Sequence, residues 1–269
     1  MINLAIETES LRRRFGALEA VRDVNLRVEA GQFYGFLGPN GAGKSTTIKM
    51  LTGLLEPSAG TIRVLGLDLA ADPLGVKRQI GVVPEGMALF DRLTGPEYLN
   101  FAARMYGLDR ATAAARSQEL LEFMTLADRP KTLIVDYSHG MKKKLALAAA
   151  VIHGPKVLFL DEPFEGVDAI AAGSLKAMLN RMIERGATIF LTSHVLEIVE
   201  RLCSHVGIIH RGTLVAQGSL EELRCGVAAR HHARGETGGE AAGGLSLEEV
   251  FLDLVGGERE AAPELSWLE

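Results

Sequence analysis

The chain has 269 residues, 47% of them hydrophobic and 23% charged, and a formal net charge of −5. That is enough to bury a sizeable core in one large domain or one domain with an appendage, and it gives no global case for nucleic-acid binding. The two cysteines, Cys203 and Cys225, lack metal-ligand spacing and read as reduced thiols of a cytosolic protein.

The N-terminal MINLAIETES lacks a basic segment followed by an apolar run, so no signal peptide is expected. Residues 3–7, 21–28 and 61–65 read as short strands, with Val, Ile and Leu interleaved with polar residues. Compact apolar runs at 32–37, 156–160, 187–192 and 206–209 suit buried parallel strands of an α/β sheet. Helices are expected between them, at 45–54, 169–184 and 194–202. Residues 94–153 are rich in Ala, Leu and Arg and read as an inserted helical subdomain. The longest apolar run there, Leu145 to Ile152, falls far short of the ~20 residues that span a bilayer, so no membrane insertion of its own is expected. Residues 226–244, rich in Gly, Ala and His, read as a flexible linker. Helical spacing returns at 245–254 with Ser246 as N-cap, opening a short C-terminal extension to 269.

Gly38-Pro39-Asn40-Gly41-Ala42-Gly43-Lys44-Ser45 matches the phosphate-binding pattern G-x-x-x-x-G-K-[ST], with Thr46 next in line. Glycines let backbone N–H groups turn inward around phosphates, and the following helix aims its positive end at the anion. Lys44 is expected to reach the terminal phosphates and Ser45 to ligate Mg²⁺. The apolar strand Val157 to Leu160 ends in Asp161 and Glu162. In phosphate-loop ATPases, a carboxylate at Asp161 orients the Mg²⁺ shell, and Glu162 can polarise the attacking water. His194 follows the next apolar strand, at the edge where open α/β sheets bind ligands, and can sense a terminal phosphate.

These residues, in this order, resemble the ATP-binding cassette family over roughly residues 3–222. The resemblance implies a phosphate-loop NTPase core with an N-terminal antiparallel β-subdomain and an inserted helical subdomain, all within a nucleotide-binding domain at 1–225. It implies ATP and Mg²⁺ as ligands and ATP hydrolysis as the activity. Tyr137-Ser138-His139-Gly140-Met141 stands in the place of the family signature Leu-Ser-Gly-Gly-Gln. By that resemblance Ser138 and Gly140 serve the nucleotide held by a second cassette chain, a homodimer or a heterodimer. Phe15 stands where the family stacks an aromatic on adenine, and Asp168 stands in the loop linking the two sites. Glu85 replaces the usual glutamine metal ligand. His139 replaces a glycine, and Glu165 a serine. Lys142, Lys143 and Lys144, at the start of a helix whose dipole they oppose, read as solvated lysines; the other reading turns one toward the neighbour's phosphates or lipid headgroups.

Gly218 to Leu223 and Ser246 to Phe251 look like bacterial exporters whose ATPase and permease are separate chains. That branch implies an integral membrane permease as partner, docking a short helix near residues 85–105, and a peripheral place on the cytoplasmic face of the plasma membrane. Ribosomal relatives carry two cassettes in one chain, DNA-repair relatives carry long coiled-coil or zinc insertions, and neither feature is present. No Asn-Lys-x-Asp motif that would read guanine occurs.

Overall fold

A computed structural model of the chain describes residues 3–233 and 245–256. The chain opens with strands β1 (Leu4–Phe15), β2 (Leu18–Val24), β3 (Arg27–Glu29) and β4 (Phe33–Leu37). Helix α1 (Lys44–Leu51), β5 (Ala59–Val64), β6 (Leu67–Asp68), α2 (Pro73–Gln79) and β7 (Ile80–Val83) follow. Next come α3 (Gly95–Met105), α4 (Arg110–Phe123), a 3-10 turn at Ile134–Asp136 and α5 (His139–Val151). Strands and helices then alternate: β8 (Val157–Asp161), α6 (Ala169–Glu184), β9 (Thr188–Ser193), α7 (Leu196–Leu202) and β10 (His205–His210). The described elements end with β11 (Thr213–Ser219), α8 (Leu220–Ala233) and α9 (Leu247–Val255).

The strands form two sheets. One is antiparallel, ordered β2-β1-β5-β6 with β3 also paired to β1. The other is ordered β11-β10-β4-β9-β8-β7; every pairing is parallel except that of the edge strand β11. This is the α/β core with an antiparallel β-subdomain that the sequence implied.

Both faces of the parallel sheet are buried, which is why its strands read as unbroken apolar runs. Tyr34, Phe36, Phe159 and Phe190 pack with the β-subdomain and α1, and their rings meet around Phe190 with centroids 5.3 to 5.7 Å apart. Leu37, Leu158, Leu160, Ile189 and Leu191 belong to the opposite core, shared with α5, α6 and α7. Gly35 is required by the close crossing of α7: a Cβ there would lie 2.6 Å from Val199 Cγ1.

Several boundaries differ from the sequence reading. The strand expected at 3–7 continues to Phe15, through register shifts that its polar outer residues do not betray. The single strand expected at 21–28 is two, β2 and β3. The break is satisfied by buried Thr8, whose hydroxyl donates to Val24 O at 2.9 Å and accepts from Leu26 N at 2.8 Å. Residues 226–233 of the expected linker are the second half of α8; residues 234–244 lie outside the described residues, as does the extension beyond 256. Ser246 caps α9 in a reciprocal capping box with Glu249. Glu200 accepts from Leu247 N at 3.2 Å and pairs with Arg224, so α9 is tied to α7 and α8. Among the described residues, no helix is long and apolar enough to cross a membrane.

His153, just past α5, fastens the helical insertion to the sheet. Its ring stacks on Tyr106 with centroids 3.6 Å apart, and Nε2 lies 3.0 Å from Ile80 O, where an N–H donates to the carbonyl. Burial pushes its pKa down to about 4 from the ordinary 6.5. An unfolded chain takes up this proton near pH 6.5, the folded chain only near 4. The contribution to stability is therefore intact above pH 6.5 and lost as pH falls through that window. His153→Gln should flatten the decline of the urea midpoint between pH 6.5 and 4 relative to the unsubstituted chain.

Candidate functional site

Residues 38–43 bridge β4 and α1. Gly41 and Gly43 have φ of 77° and 108°, left-handed values that a side chain resists. A Cβ at Gly43 would lie 2.6 Å from Ala20 O, and one at Gly38 2.3 Å from Ile209 O. The loop is thus pressed onto the rest of the fold while the N-terminus of α1 opens outward. Lys44, the first residue of α1, is 7% exposed. Its ammonium donates to Gly38 O at 2.7 Å and Pro39 O at 3.4 Å, and stands 3.8 Å from Glu162 Oε1.

Parallel pairing brings the ends of β8 and β9 beside this loop. Asp161, 2% exposed, accepts on Oδ1 from Thr192 Oγ1 at 2.6 Å and from Ser45 Oγ at 3.3 Å. Glu162 turns out of β8 with φ of 49°, left-handed for a non-glycine residue. Its N–H donates to Thr192 Oγ1 at 3.1 Å and Thr192 O at 3.3 Å. Its Oε2 accepts from His194 N at 3.3 Å and lies 3.0 Å from His194 Nδ1. The carboxylate is therefore held between an ammonium and an imidazole.

A cleft of about 530 Å³ gathers Phe15, Asn40, Gly41, Gly43, Lys44, Ser45, Thr46, Glu85, Glu162 and His194. Leu18, Ala20, Pro39 and Glu165 complete its wall. Phe15 is 45% exposed at the mouth, opposite Leu18 across the β1–β2 turn, with the Arg13 guanidinium 4.6 Å from its ring centre. Gly38, Ala42 and Asp161 lie beneath the surface rather than on the wall. The inward-turned glycines, the buried ammonium and the convergent hydroxyl and carboxylate oxygens fit a triphosphate and a hard divalent cation.

Ser138 and Gly140 do not join this cleft. Ser138 caps α5, its exposed hydroxyl accepting from Met141 N at 3.3 Å. Gly140 is buried, and a Cβ there would lie 3.4 Å from Asp168 Oδ2. Asp168 caps α6 by accepting from Ala171 N at 2.8 Å. His139 is directed at its own chain: Nε2 lies 3.3 Å from Glu165 O.

The lysine run departs from the solvated reading. Lys142 is half-buried, 3.7 Å from Asp91, but Lys143 and Lys144 are 4% and 6% exposed. Lys144 donates to Thr125 Oγ1 at 3.0 Å. Lys143 donates to the main-chain oxygen of Glu162 at 2.5 Å. Burial lowers the Lys143 pKa, while the carboxylates of Glu165, Glu162, Glu85 and Asp161 act to raise it. Thr192 and Lys143 are site neighbours that the sequence reading did not single out, as are Leu18 and Ala20 on the cleft wall. Thr192 carried one signal, a polar residue directly after the apolar run Ile189 to Leu191.

Residues 21–165 match the family model described as ABC transporter. The chain is similar to the linearmycin resistance ATP-binding protein LnrL of Bacillus subtilis (strain 168), at 37% identity over 81% of this chain and 70% of that one. It is similar to the daunorubicin/doxorubicin resistance ATP-binding protein DrrA of Streptomyces peucetius, at 38% identity over 82% of this chain and 67% of that one. A solved structure of an ATP-binding subunit of an ABC transporter superposes with a TM-score of 0.83, at 34% identity, covering 93% of this chain and 99% of that one.

The demand for space at Gly38 is testable without a ligand. Gly38→Ala should lower the unfolding free energy by about 1–3 kcal/mol, the usual cost of overpacking, measured by urea titration.

Proposed function

The chain belongs to the ABC transporter family as an ATP-binding subunit, and on that premise we propose that it hydrolyses ATP to power export through a partner membrane permease. The observation that carries the proposal is the cleft in which Lys44 and His194 flank the Glu162 carboxylate beside Ser45 and Asp161. The resistance functions in the names of LnrL and DrrA support an exporter.

Each residue has a role that its surroundings suit. The backbone N–H groups around Asn40, Gly41, Ala42 and Gly43 bind phosphate oxygens at the positive end of α1, with Thr46 beside them. Lys44 neutralises charge on the terminal phosphates. Phe15 offers its exposed ring to adenine. Ser45 and Asp161 would hold Mg²⁺, and Glu85, on the cleft wall, would be a further oxygen ligand. When bound, the ion would supply positive charge to the phosphates.

Glu162 is the general base. It takes a proton from water while the water oxygen bonds to the terminal phosphorus and the bond to the ADP oxygen breaks. His194, hydrogen-bonded to Glu162 through main chain and ring, fixes the carboxylate and faces the terminal phosphate. Ser138 and Gly140 complete the cleft of a second cassette chain, a homodimer or a heterodimer, since they lie outside their own. ATP closes the pair, hydrolysis reopens it, and the permease converts the cycle into alternating access. The chain then works at the cytoplasmic face of the plasma membrane, without nucleic acid and without entering the bilayer.

Glu162→Gln should lower steady-state ATP hydrolysis by about 10²-fold or more, the usual weight of a general base. By light scattering the same variant should pass from monomer to dimer when ATP and Mg²⁺ are added, and Ser138→Arg should abolish that transition. Hydrolysis at the unsubstituted rate would remove Glu162 as base. A variant that binds ATP yet stays monomeric would rule out the isolated homodimer.

A further inference from the structure

Lys143 is an expensive residue where it stands. Its ammonium is withdrawn from water, and a methionine of similar length would fill the space without desolvating a charge. What the ammonium adds is a hydrogen bond to Glu162 O and attraction to the carboxylates around the cleft.

The Glu162 peptide needs such a hold. Its left-handed backbone, with φ of 49°, is unfavourable for a residue with a side chain, so it persists only where neighbours impose it. Thr192 secures the N–H side through its hydroxyl and carbonyl. On the carbonyl side the partners are Lys143 Nζ at 2.5 Å and Glu165 N at 3.3 Å. The φ and ψ fixed in this way decide where the carboxylate points, between Lys44 and His194.

Lys143 is also one turn beyond His139 on α5. The beginning of this helix meets the loop 162–168 repeatedly: Lys143 at Glu162 O, His139 at Glu165 O, and Gly140 against Asp168. A displacement of α5 would therefore bear on the Glu162 peptide within the same chain.

We infer that Lys143 is a positioning residue for hydrolysis: it fixes the Glu162 peptide, aims the carboxylate at water, and makes that aim depend on where α5 lies. The inference rests on the reading of Glu162 as general base and of Ser138 and Gly140 as contacts to the second chain's nucleotide. It gives one cleft a direct link to the occupancy of the other, because α5 touches both.

The test uses the full chain and steady-state ATP hydrolysis. Lys143→Met should lower kcat about 10- to 100-fold, the scale of a small misplacement, while KM for ATP stays unchanged. Lys143→Arg should recover part of the rate, and thermal melting reports whether each variant is folded. In a Glu162→Gln background, Lys143→Met should cost nothing further, because both changes act through one group. A folded Lys143→Met with unchanged kcat, or one whose loss lies in KM, overturns the inference. So does a further loss in the Glu162→Gln background, the mark of a purely structural role. If Lys143→Met does not fold, Lys143→Leu, which likewise lacks a donor, is measured in the same way and judged by the same outcomes. Failure of the unsubstituted chain to hydrolyse ATP would instead overturn the proposed function and this inference with it.

Discussion

The hydroxyl of Thr192 is the hinge on which the cleft depends. It donates to Asp161 Oδ1 at 2.6 Å and accepts from Glu162 N at 3.1 Å, so one oxygen sets both carboxylates at the end of β8. It does so from β9, the strand lying between β8 and the phosphate-loop strand β4. Asp161 then reaches across to Ser45 at the start of α1. Loop, acid pair and His194 are thereby three ends of one parallel sheet, held in register by backbone pairing rather than by long-range loop contacts. A buried threonine that lost its partners would carry a cost of roughly 1–3 kcal/mol, which explains why its hydrogen bonds are all made within the protein.

The two faces of that sheet do different work. Beneath the β-subdomain, the aromatic cluster around Phe190 lies in the same core as Ala42 of the phosphate loop. On the other face small and branched residues dominate, and the alanines of α5 lie in one core with Leu158 and Leu160. Small side chains let α5 approach closely enough for a lysine on its first turns to reach a main-chain oxygen at the sheet edge. Packing and the polar contact are one arrangement, since a bulkier helix face would carry Lys143 away from Glu162.

Much of the cleft was legible in the sequence because its chemistry lies in backbone conformation and strand ends. Gly41 and Gly43 announce left-handed positions, Lys44 and Ser45 follow at fixed spacing, and Asp161, Glu162 and His194 each close an apolar run. Lys143 was illegible because burial of a charge cannot be read from a Lys-Lys-Lys run; only the packing of α5 distinguishes it from its neighbours. The long β1 and the split of β2 from β3 escaped for a related reason. Their hydrogen bonds are completed by side chains such as Thr8 and Asn25, which look like ordinary turn or surface residues. Edge strand β11 escaped because its exposed alternation is weak, and α8 because Gly, Ala and His suggest a linker until Glu200 is found paired with Arg224.

Ser138 and Gly140 stand outside the cleft of their own chain. On the proposed division of the site, protein abundance becomes a control variable. A solitary chain would hold nucleotide but turn it over slowly, and, since dimers form as the square of chain concentration, the rate per chain would climb in proportion to that concentration. Tethering two copies to one permease replaces that bulk concentration with a local one set by geometry, on the order of millimolar for short tethers. Chains that have lost their membrane partner would then fall silent by dilution alone, sparing the cell futile consumption of ATP without any dedicated inhibitor.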